Sequence, residues 1–231
     1  MTTAAIMQPT YLPWVGYFAL MDAVDSFVFL DNVQFARRSW QQRNRIKTTQ
    51  GEQVLTVPVQ KRGLRDQLIQ DVQINYDDKP LAKHERSIQC AYSKAPYFNV
   101  YKDELFAIYR RAPKSLFELN FELIIWMCKK LGIEVNIIIS SSLGVSAKRA
   151  DLIAALCIEV GATTYVSPPG SRGYLEESKA LEDNEINLLY FEYQCKEYEQ
   201  LHGSFLPYLS VIDLMFNKGP DSLDIIRSGI R

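Results

Sequence analysis

Two stretches near the N-terminus combine residue types that suit a ligand with a ring and a phosphate. Residues 8–17 (QPTYLPWVGY) place two prolines, two tyrosines and a tryptophan in one short loop, which makes it more rigid than a plain connection. Residues 37–47 (RRSWQQRNRIK) interleave cations with amides and one indole. Guanidinium groups hold phosphate or carboxylate through paired hydrogen bonds, and an indole gives a stacking surface. The predicted lining of this pocket is Gln8, Tyr11, Trp14, Gly16, Tyr17, Gln34, Arg38, Trp40, Asn44, Arg45 and Lys47.

These stretches also have plainer interpretations. Trp14 and Tyr17 can face the core as the first turn of a buried helix, and some of the cations must be ordinary surface residues. RNA would be bound by the same mixture of cations and aromatic rings. The pocket is therefore one hypothesis among three.

His84 is the residue best suited to proton transfer, because imidazole titrates near neutral pH. It follows Lys83 at the start of a predicted helix. We expect His84 to act as a general base or as a ligand of a substrate phosphate, with Lys83 binding beside it. The alternative base is Asp31, which directly follows an apolar strand. The structural alternatives are a histidine that packs or caps its helix and an aspartate that forms a turn.

Two later segments carry further polar groups. Residues 167–174 (SPPGSRGY) join a strand to a helix with two hydroxyls and an arginine, and Ser167, Ser171 and Arg172 could form a second phosphate site. A merely flexible loop is the alternative. Asp213 and Asn217 are four residues apart on one helical face, a spacing that favours contact between them and a structural role.

A parallel sheet is needed to position these residues. Residues 4–31 predict a strand, a loop, a helix and a second strand, which form a βαβ unit. Further strands are predicted at 135–140, 163–167 and 187–191, with helices at 150–160 and 175–183. The alternation predicts an α/β fold with a mostly parallel, Rossmann-like sheet of about five strands. Ligands bind such sheets at the carboxyl ends of the strands, where residues 8–16 and 31–34 would meet.

The rest of the chain adds to this sheet. One strand is predicted at 53–60, and helices at 83–92, 100–111 and 115–131 form a helical lobe over about 83–131. A last helix at 210–216 is expected to stop at Gly219 and Pro220. The prediction is a single domain over residues 1–231.

Composition narrows the possible functions. Lys and Arg number 26 against 27 Asp and Glu, so the net charge is −1, which makes nucleic acid an unlikely partner. No apolar run can span a membrane and no targeting segment is present, so a cytoplasmic protein is expected. The four cysteines are far apart and neither histidine has a metal-ligand spacing, which predicts inert buried thiols and no metal site. The phosphate-loop, dinucleotide and nucleophile-elbow motifs are absent.

Six motifs together resemble the WbqC-like family almost from end to end. They are residues 8–17, 29–35, 38–47, 83–84, 91–98 and 209–219. Members of that family occur in gene clusters for O-antigen and other bacterial surface polysaccharides. The resemblance implies transfer of glycine or a similar aminoacyl group to a sugar.

A fainter likeness links the first loop to nucleotidylyl transferases and pantoate–β-alanine ligase. Those enzymes carry a His-x-Gly-His motif after the first strand, and here residues 14–17 (WVGY) stand in its place, so both imidazoles are replaced. If that fold binds ATP here, Arg38, Arg45 and Lys47 must supply the positive charge.

The sequence therefore predicts an acyl- or aminoacyltransferase or ligase that acts on a sugar or sugar nucleotide. The donor would be an activated amino acid or acyl group, either a thioester or an adenylate made with ATP and Mg²⁺. The alternatives are a non-catalytic protein that binds a nucleotide or sugar nucleotide and, third, an RNA-binding protein.

Overall fold

A five-stranded parallel sheet lies at the centre of the protein. The computed structural model describes residues 1–64 and 66–231. The sheet contains β1 (Thr3–Met7), β2 (Ser26–Phe29), β5 (Asn136–Ile139), β6 (Thr164–Ser167) and β7 (Asn187–Tyr190). Its strand order is β5-β2-β1-β6-β7, and every neighbouring pair is parallel. The predicted Rossmann-like α/β fold is confirmed.

Helices cover both faces of this sheet because its inner strands are apolar on both sides. Ala5, Phe27 and Phe29 pack into a core shared with six helices, and Ala4 and Val28 pack into a separate core on the opposite face. The first core is shared with α1 (Val15–Asp22), α2 (Pro80–Tyr92), α3 (Phe98–Arg110), α4 (Leu116–Leu131), α7 (Val211–Lys218) and α8 (Ser222–Ser228). The second core is shared with α5 (Arg149–Glu159) and α6 (Arg172–Glu176).

The long connection from β2 to β5 contains a hairpin and the helical lobe. The hairpin is formed by β3 (Arg43–Thr48) and β4 (Gly51–Thr56), which pair in antiparallel fashion. The lobe comprises α2 (Pro80–Tyr92), α3 (Phe98–Arg110) and α4. The Ser115 hydroxyl caps α4 by accepting a bond from the Glu118 amide at 3.0 Å, and Gly132 ends that helix with a left-handed φ of 77°.

Three element predictions were wrong. The strand expected at 53–60 ends at Thr56 and pairs with β3. The sequence did not predict β3, because its cations obscure the alternating pattern in which Asn44 and Ile46 face the core. The helix expected at 175–183 is α6, which starts earlier and ends at Glu176. The helix expected at 210–216 does stop at Gly219, but it is not the last helix, since Gly219 and Pro220 begin a short 3₁₀ turn that leads into α8. In the described part of the chain, no helix has the length and apolar character needed to cross a membrane.

Candidate functional site

A crevice opens between β1 and β6, at the point where the strand order reverses. β1 and β6 pair only through Thr3 with Thr164 and Ala4 with Tyr165, whereas the other neighbours pair over four residues. Both strands continue beyond that contact, so their carboxyl ends separate. This topological switch point is where open α/β sheets bind ligands.

A cavity of about 250 Å³ lies at the carboxyl end of β1, beside this crevice. Aromatic side chains dominate its walls, and no carboxylate lines it within the described residues. The lining residues are Met7, Thr10, Trp14, Tyr17, Trp40, Asn44, Arg45 and Tyr208. Five of these belong to the predicted pocket, namely Trp14, Tyr17, Trp40, Asn44 and Arg45. We call this site the aromatic cavity.

Trp14 forms one wall because Gly16 leaves room for it. A Cβ atom at residue 16 would overlap with the Trp14 indole, so only glycine lets the ring lie against the start of α1. On its other sides the indole contacts Tyr193 edge to face and Tyr208 at a tilt, with ring centroids 5.5 Å apart in each case. The space that Gly16 leaves is therefore filled by a side chain of the same chain.

Arg45 forms a flat, partly neutralised wall. Its Nη1 donates to both carboxylate oxygens of Glu52 at 3.1 Å, and its Nη2 donates to the Tyr208 carbonyl at 3.2 Å. The guanidinium also lies 5.4 Å from the centre of the Trp40 ring. Because Glu52 already balances its charge, Arg45 offers the cavity a planar surface more than a free cation.

The loop that leads from β1 to α1 is fixed from below. The Asn44 amide donates to the carbonyls of Tyr11 and Leu12 at 3.2 and 2.7 Å, and Leu12 adopts a left-handed φ of 45°. The Gln41 amide donates to the Gln8 side chain at 2.6 Å. The Asn44 side chain is thus bonded to the backbone of the loop, and the Gln8 side chain is bonded to Gln41.

His84 lies beneath this loop in a buried chain of hydrogen bonds. Its Nδ1 is 2.8 Å from the Tyr11 hydroxyl, which is 2.6 Å from the Tyr109 hydroxyl. A hydrogen bond with the Thr56 backbone favours the protonated ring, and the effect of burial outweighs it. Burial lowers the pKa of His84 to about 4, which keeps the ring neutral at neutral pH. We call Tyr11, His84 and Tyr109 the His84 cluster.

Lys47 is also buried, with 1% of its surface exposed. Its ammonium donates to the Gln200 side chain and to the carbonyls of Gly203 and Ser204, at 3.1, 3.1 and 2.7 Å. Burial lowers the pKa of Lys47, and the negative charge of Asp213 opposes that change. All three protons of the ammonium are used to hold the loop at 200–204.

Asp213 extends this arrangement into what we call the Lys47 cluster, consisting of Lys47, Tyr92, Tyr198, Gln200 and Asp213. The hydroxyls of Tyr92 and Tyr198 donate to the Asp213 carboxylate at 2.8 Å each. Burial raises the pKa of Asp213, and these two bonds oppose the rise. Asn217 donates to the Asp213 carbonyl at 2.7 Å, so these two residues do contact each other as their spacing indicated.

Asp31 is tied to the turn that follows β5. Its carboxylate accepts bonds from the Ser140 hydroxyl at 2.8 Å and from the amide and hydroxyl of Ser141 at 2.9 and 2.6 Å. Only 2% of Asp31 is exposed. The contacts make it a clamp between β2 and β5. Its role as a base, like that of His84, stays a prediction.

Comparisons with known proteins agree with the motifs. The model of the WbqC-like protein family matches residues 8–225, which include every residue of the aromatic cavity except Met7. The chain belongs to the WbqC-like protein family. A relative from Mycobacterium tuberculosis, which bears the name "Uncharacterized protein Rv1507c", is 38% identical over 229 residues, and the match covers 98% of each chain. No solved structure matches the chain.

The remaining predicted site residues of this WbqC-like protein lie outside the aromatic cavity. Gln34 is exposed and donates to Asp66 at 3.0 Å, Arg38 is exposed with a left-handed φ of 59°, and Lys83 lies in a groove beside the hairpin. Ser167 is buried at the end of β6, where its hydroxyl donates to the Pro168 carbonyl at 3.2 Å. Arg172 lies 4.3 Å from the centre of the Tyr190 ring. A phosphate site at residues 167–172 stays a prediction.

Sequence reasoning missed Met7, Thr10 and Tyr208. Thr10 belongs to the loop that was singled out, and its hydroxyl was available as a signal. Tyr208 gave no signal, because it comes from a long irregular segment and reaches the cavity through a left-handed φ of 60° and the bond from Arg45. The expectation of buried thiols was wrong for Cys90, which is exposed, and holds for Cys128 and Cys157.

Proposed function

We propose that this WbqC-like protein is an acyl- or aminoacyltransferase that modifies a sugar or a sugar nucleotide, and that the aromatic cavity holds a ring of that acceptor. The observation that carries the proposal is the lining of the cavity by Trp14, Trp40 and Tyr208 at the switch point of the sheet. Sugar rings and nucleobases both present faces that stack on aromatic side chains. Half of the Trp40 surface is exposed, so part of this side chain is available to a ligand.

The size of the cavity limits what it can hold. Pockets for drug-sized ligands measure about 300–1,000 Å³, so a cavity of about 250 Å³ fits one ring and no more. A nucleotide sugar would therefore place one ring there and extend along the crevice. Because Glu52 balances the charge of Arg45, the phosphates belong outside the cavity. Ser171 and Arg172 beyond β6 are the predicted binding residues on that side.

The proposed reaction joins the acceptor to an activated acyl donor. An amine or hydroxyl of the sugar attacks the acyl carbonyl, a new C–N or C–O bond forms, and the bond to the thiol or adenylate leaving group breaks. The proton of the attacking group passes to a base. The base expected from the sequence is His84 or Asp31, and neither lines the cavity. A donor activated by ATP with Mg²⁺ releases AMP and pyrophosphate, whereas a thioester donor releases a thiol.

Binding tests the cavity directly. UDP-N-acetylglucosamine, free N-acetylglucosamine, UMP and a short RNA would be titrated by calorimetry against the protein. We expect Trp40→Ala and Tyr208→Ala each to weaken binding of a cavity ligand about tenfold or more, since stacking on one ring contributes about 1–3 kcal/mol. Tyr174→Ala is the matched control for free N-acetylglucosamine, which has no phosphate, because Tyr174 is an exposed tyrosine outside the cavity.

Transfer is tested by incubating the acceptor with glycine, ATP and Mg²⁺, or with a glycyl thioester, and following the acceptor by mass spectrometry. A gain in mass of one glycyl group that depends on Trp40 supports the proposal. Binding with no transfer from either donor favours the non-catalytic alternative. Tight RNA binding that weakens steeply with added salt, without sugar-nucleotide binding, would contradict it.

A further inference from the structure

A second concave site lies between α2 and the turn that joins β3 to β4. It is a groove of about 480 Å³ with two cations in its lining, Lys83 and Arg86. Gln53, Ser87 and the turn at residues 48–50 add amide and hydroxyl groups, and within the described residues no carboxylate lines the groove. We call it the basic groove.

The helix periodicity of α2 builds one side of this groove. Lys83, Arg86 and Cys90 lie at positions three, four and seven residues apart and share one face, whereas His84 and Ile88 point into the core. The hairpin provides the opposite side. Gln53 donates to the Ser87 hydroxyl at 3.1 Å, which joins the two sides and leaves the hydroxyl hydrogen of Ser87 free to donate into the groove.

The two cations of the basic groove are not neutralised by their neighbours. Glu85 lies between them in sequence and pairs with Arg110 on α3, and Glu52 on the hairpin pairs with Arg45. Across residues 1–64 and 66–231, neither Lys83 nor Arg86 makes a salt bridge or a side-chain hydrogen bond. A groove with two free cations and further donors attracts an anion.

We propose that the basic groove binds a phosphorylated small molecule, with Lys83 and Arg86 holding its phosphates. The groove is separate from the aromatic cavity, since the two linings share no residue. This site accounts for Lys83, which the sequence singled out and which the aromatic cavity does not include. It does not depend on the proposed transfer reaction.

The reactivity of Cys90 can report whether the basic groove is occupied. It is exposed and lines the groove, whereas burial raises the pKa of Cys128 and of Cys157 to about 12 and keeps both thiols inert. The experiment measures alkylation of Cys90 by iodoacetamide, peptide by peptide, with and without inorganic pyrophosphate at constant ionic strength. At about ten times the dissociation constant, mass action leaves about a tenth of the groove open, so alkylation slows about tenfold. The half-buried Cys195 is the internal reference and keeps its rate.

Two double variants decide the assignment. Lys83→Gln with Arg86→Gln removes the cations of the groove, and pyrophosphate then no longer protects Cys90. Lys148→Gln with Arg149→Gln removes the same charge from the exposed start of α5, and protection persists. The proposal is overturned by an absence of protection at millimolar pyrophosphate, by full protection in the first variant, or by equal losses in both variants.

Discussion

The aromatic cavity and the two polar clusters beside it use their residue types in opposite ways. The walls of the cavity come from large rings, and Trp40 and Tyr208 keep about half of their surface exposed, 50% and 47%. In the His84 and Lys47 clusters, the titratable side chains are buried, except for the half-buried Tyr198, and are bonded to other parts of the same chain. The titratable side chains of the two clusters therefore hold loops in place. The aromatic side chains of the cavity are the ones that are accessible to a ligand.

Each cluster supports one wall of the cavity. The His84 cluster fixes Tyr11 in the loop that carries Thr10 and Trp14. The Lys47 cluster fixes residues 200–204, which lead to Tyr208. Buried polar groups that are fully paired specify a single arrangement of the loops they hold. The arrangement of both loops therefore depends on buried groups that do not themselves line the cavity.

The largest effect is expected for Lys47→Ala. The substitution leaves two backbone carbonyls, the Gln200 side chain and the buried Asp213 without their cation, which costs about 3–5 kcal/mol. The melting temperature should fall by about 10 °C for a chain of this size. Differential scanning calorimetry measures it. Arg38→Ala, which removes an exposed cation, should melt close to the wild type.

A different result for Lys47 would show that it binds a ligand and does not hold a loop. In that case Lys47→Ala melts like the wild type and loses affinity for a phosphate-bearing ligand, because the ammonium turns outward to bind it. The sequence alone favoured that result, because a lysine in a basic stretch gives no sign of being buried. Its burial follows from the 200–204 loop, which is more than 150 residues away in the chain.

The sequence predicted the sheet more completely than the site, and particular residues show why. The strand Ser26–Phe29 is buried at every position and carries three consecutive apolar residues, so local composition alone identifies it. The loop at residues 8–17 was recognised because rare residue types are concentrated there. The partners of Asp31, namely Ser140 and Ser141, lie more than 100 residues away, and no local pattern predicts such a clamp.

The second prediction concerns the pH dependence of stability through His84. The unfolded chain takes up a proton at about pH 6.5, whereas the folded chain does so only near pH 4. The unfolded state therefore binds more protons between these values, and stability falls as the pH falls through this window, by about 3 kcal/mol in total. Urea denaturation of His84→Gln should lack this component and show a shallower pH dependence than the wild type.

His84→Gln also separates the two roles assigned to this histidine. The His84 cluster predicts a variant that is less stable at neutral pH, because the Tyr11 hydroxyl loses its buried hydrogen bond to the imidazole. A general base predicts the reverse, with turnover about 100-fold lower and an unchanged melting temperature. Measuring both quantities on the same preparation decides between them.

A third prediction tests the packing of the cavity wall through Gly16. In Gly16→Ala the new methyl group overlaps with the Trp14 indole, so the ring must move, at a cost of about 1–3 kcal/mol. Tryptophan fluorescence should shift to longer wavelength as Trp14 becomes exposed to water. Gly173→Ala is the matched control, because Gly173 is also helical and has no atom near the position of the new Cβ. It should gain up to about 1 kcal/mol, and a similar gain in Gly16→Ala would show that Trp14 does not depend on the glycine.

The smallest effect on stability is expected for Arg172→Gln, which asks whether the end of β6 and the aromatic cavity form one site. Arg172 is exposed, lies 4.3 Å from the centre of the Tyr190 ring and is 4.0 Å from Glu176, so its loss should change stability by less than about 1 kcal/mol. If the phosphates of a nucleotide sugar reach Arg172, the affinity of the variant for that nucleotide sugar falls about tenfold, since a hydrogen bond to a charged group contributes about 1.5–3 kcal/mol.

A free monosaccharide, which has no phosphate, should bind to Arg172→Gln as it does to the wild type. Arg149→Gln removes another exposed cation, from α5, and should change neither affinity. Unchanged binding of the nucleotide sugar in Arg172→Gln would separate the two regions and restrict the ligand to the aromatic cavity.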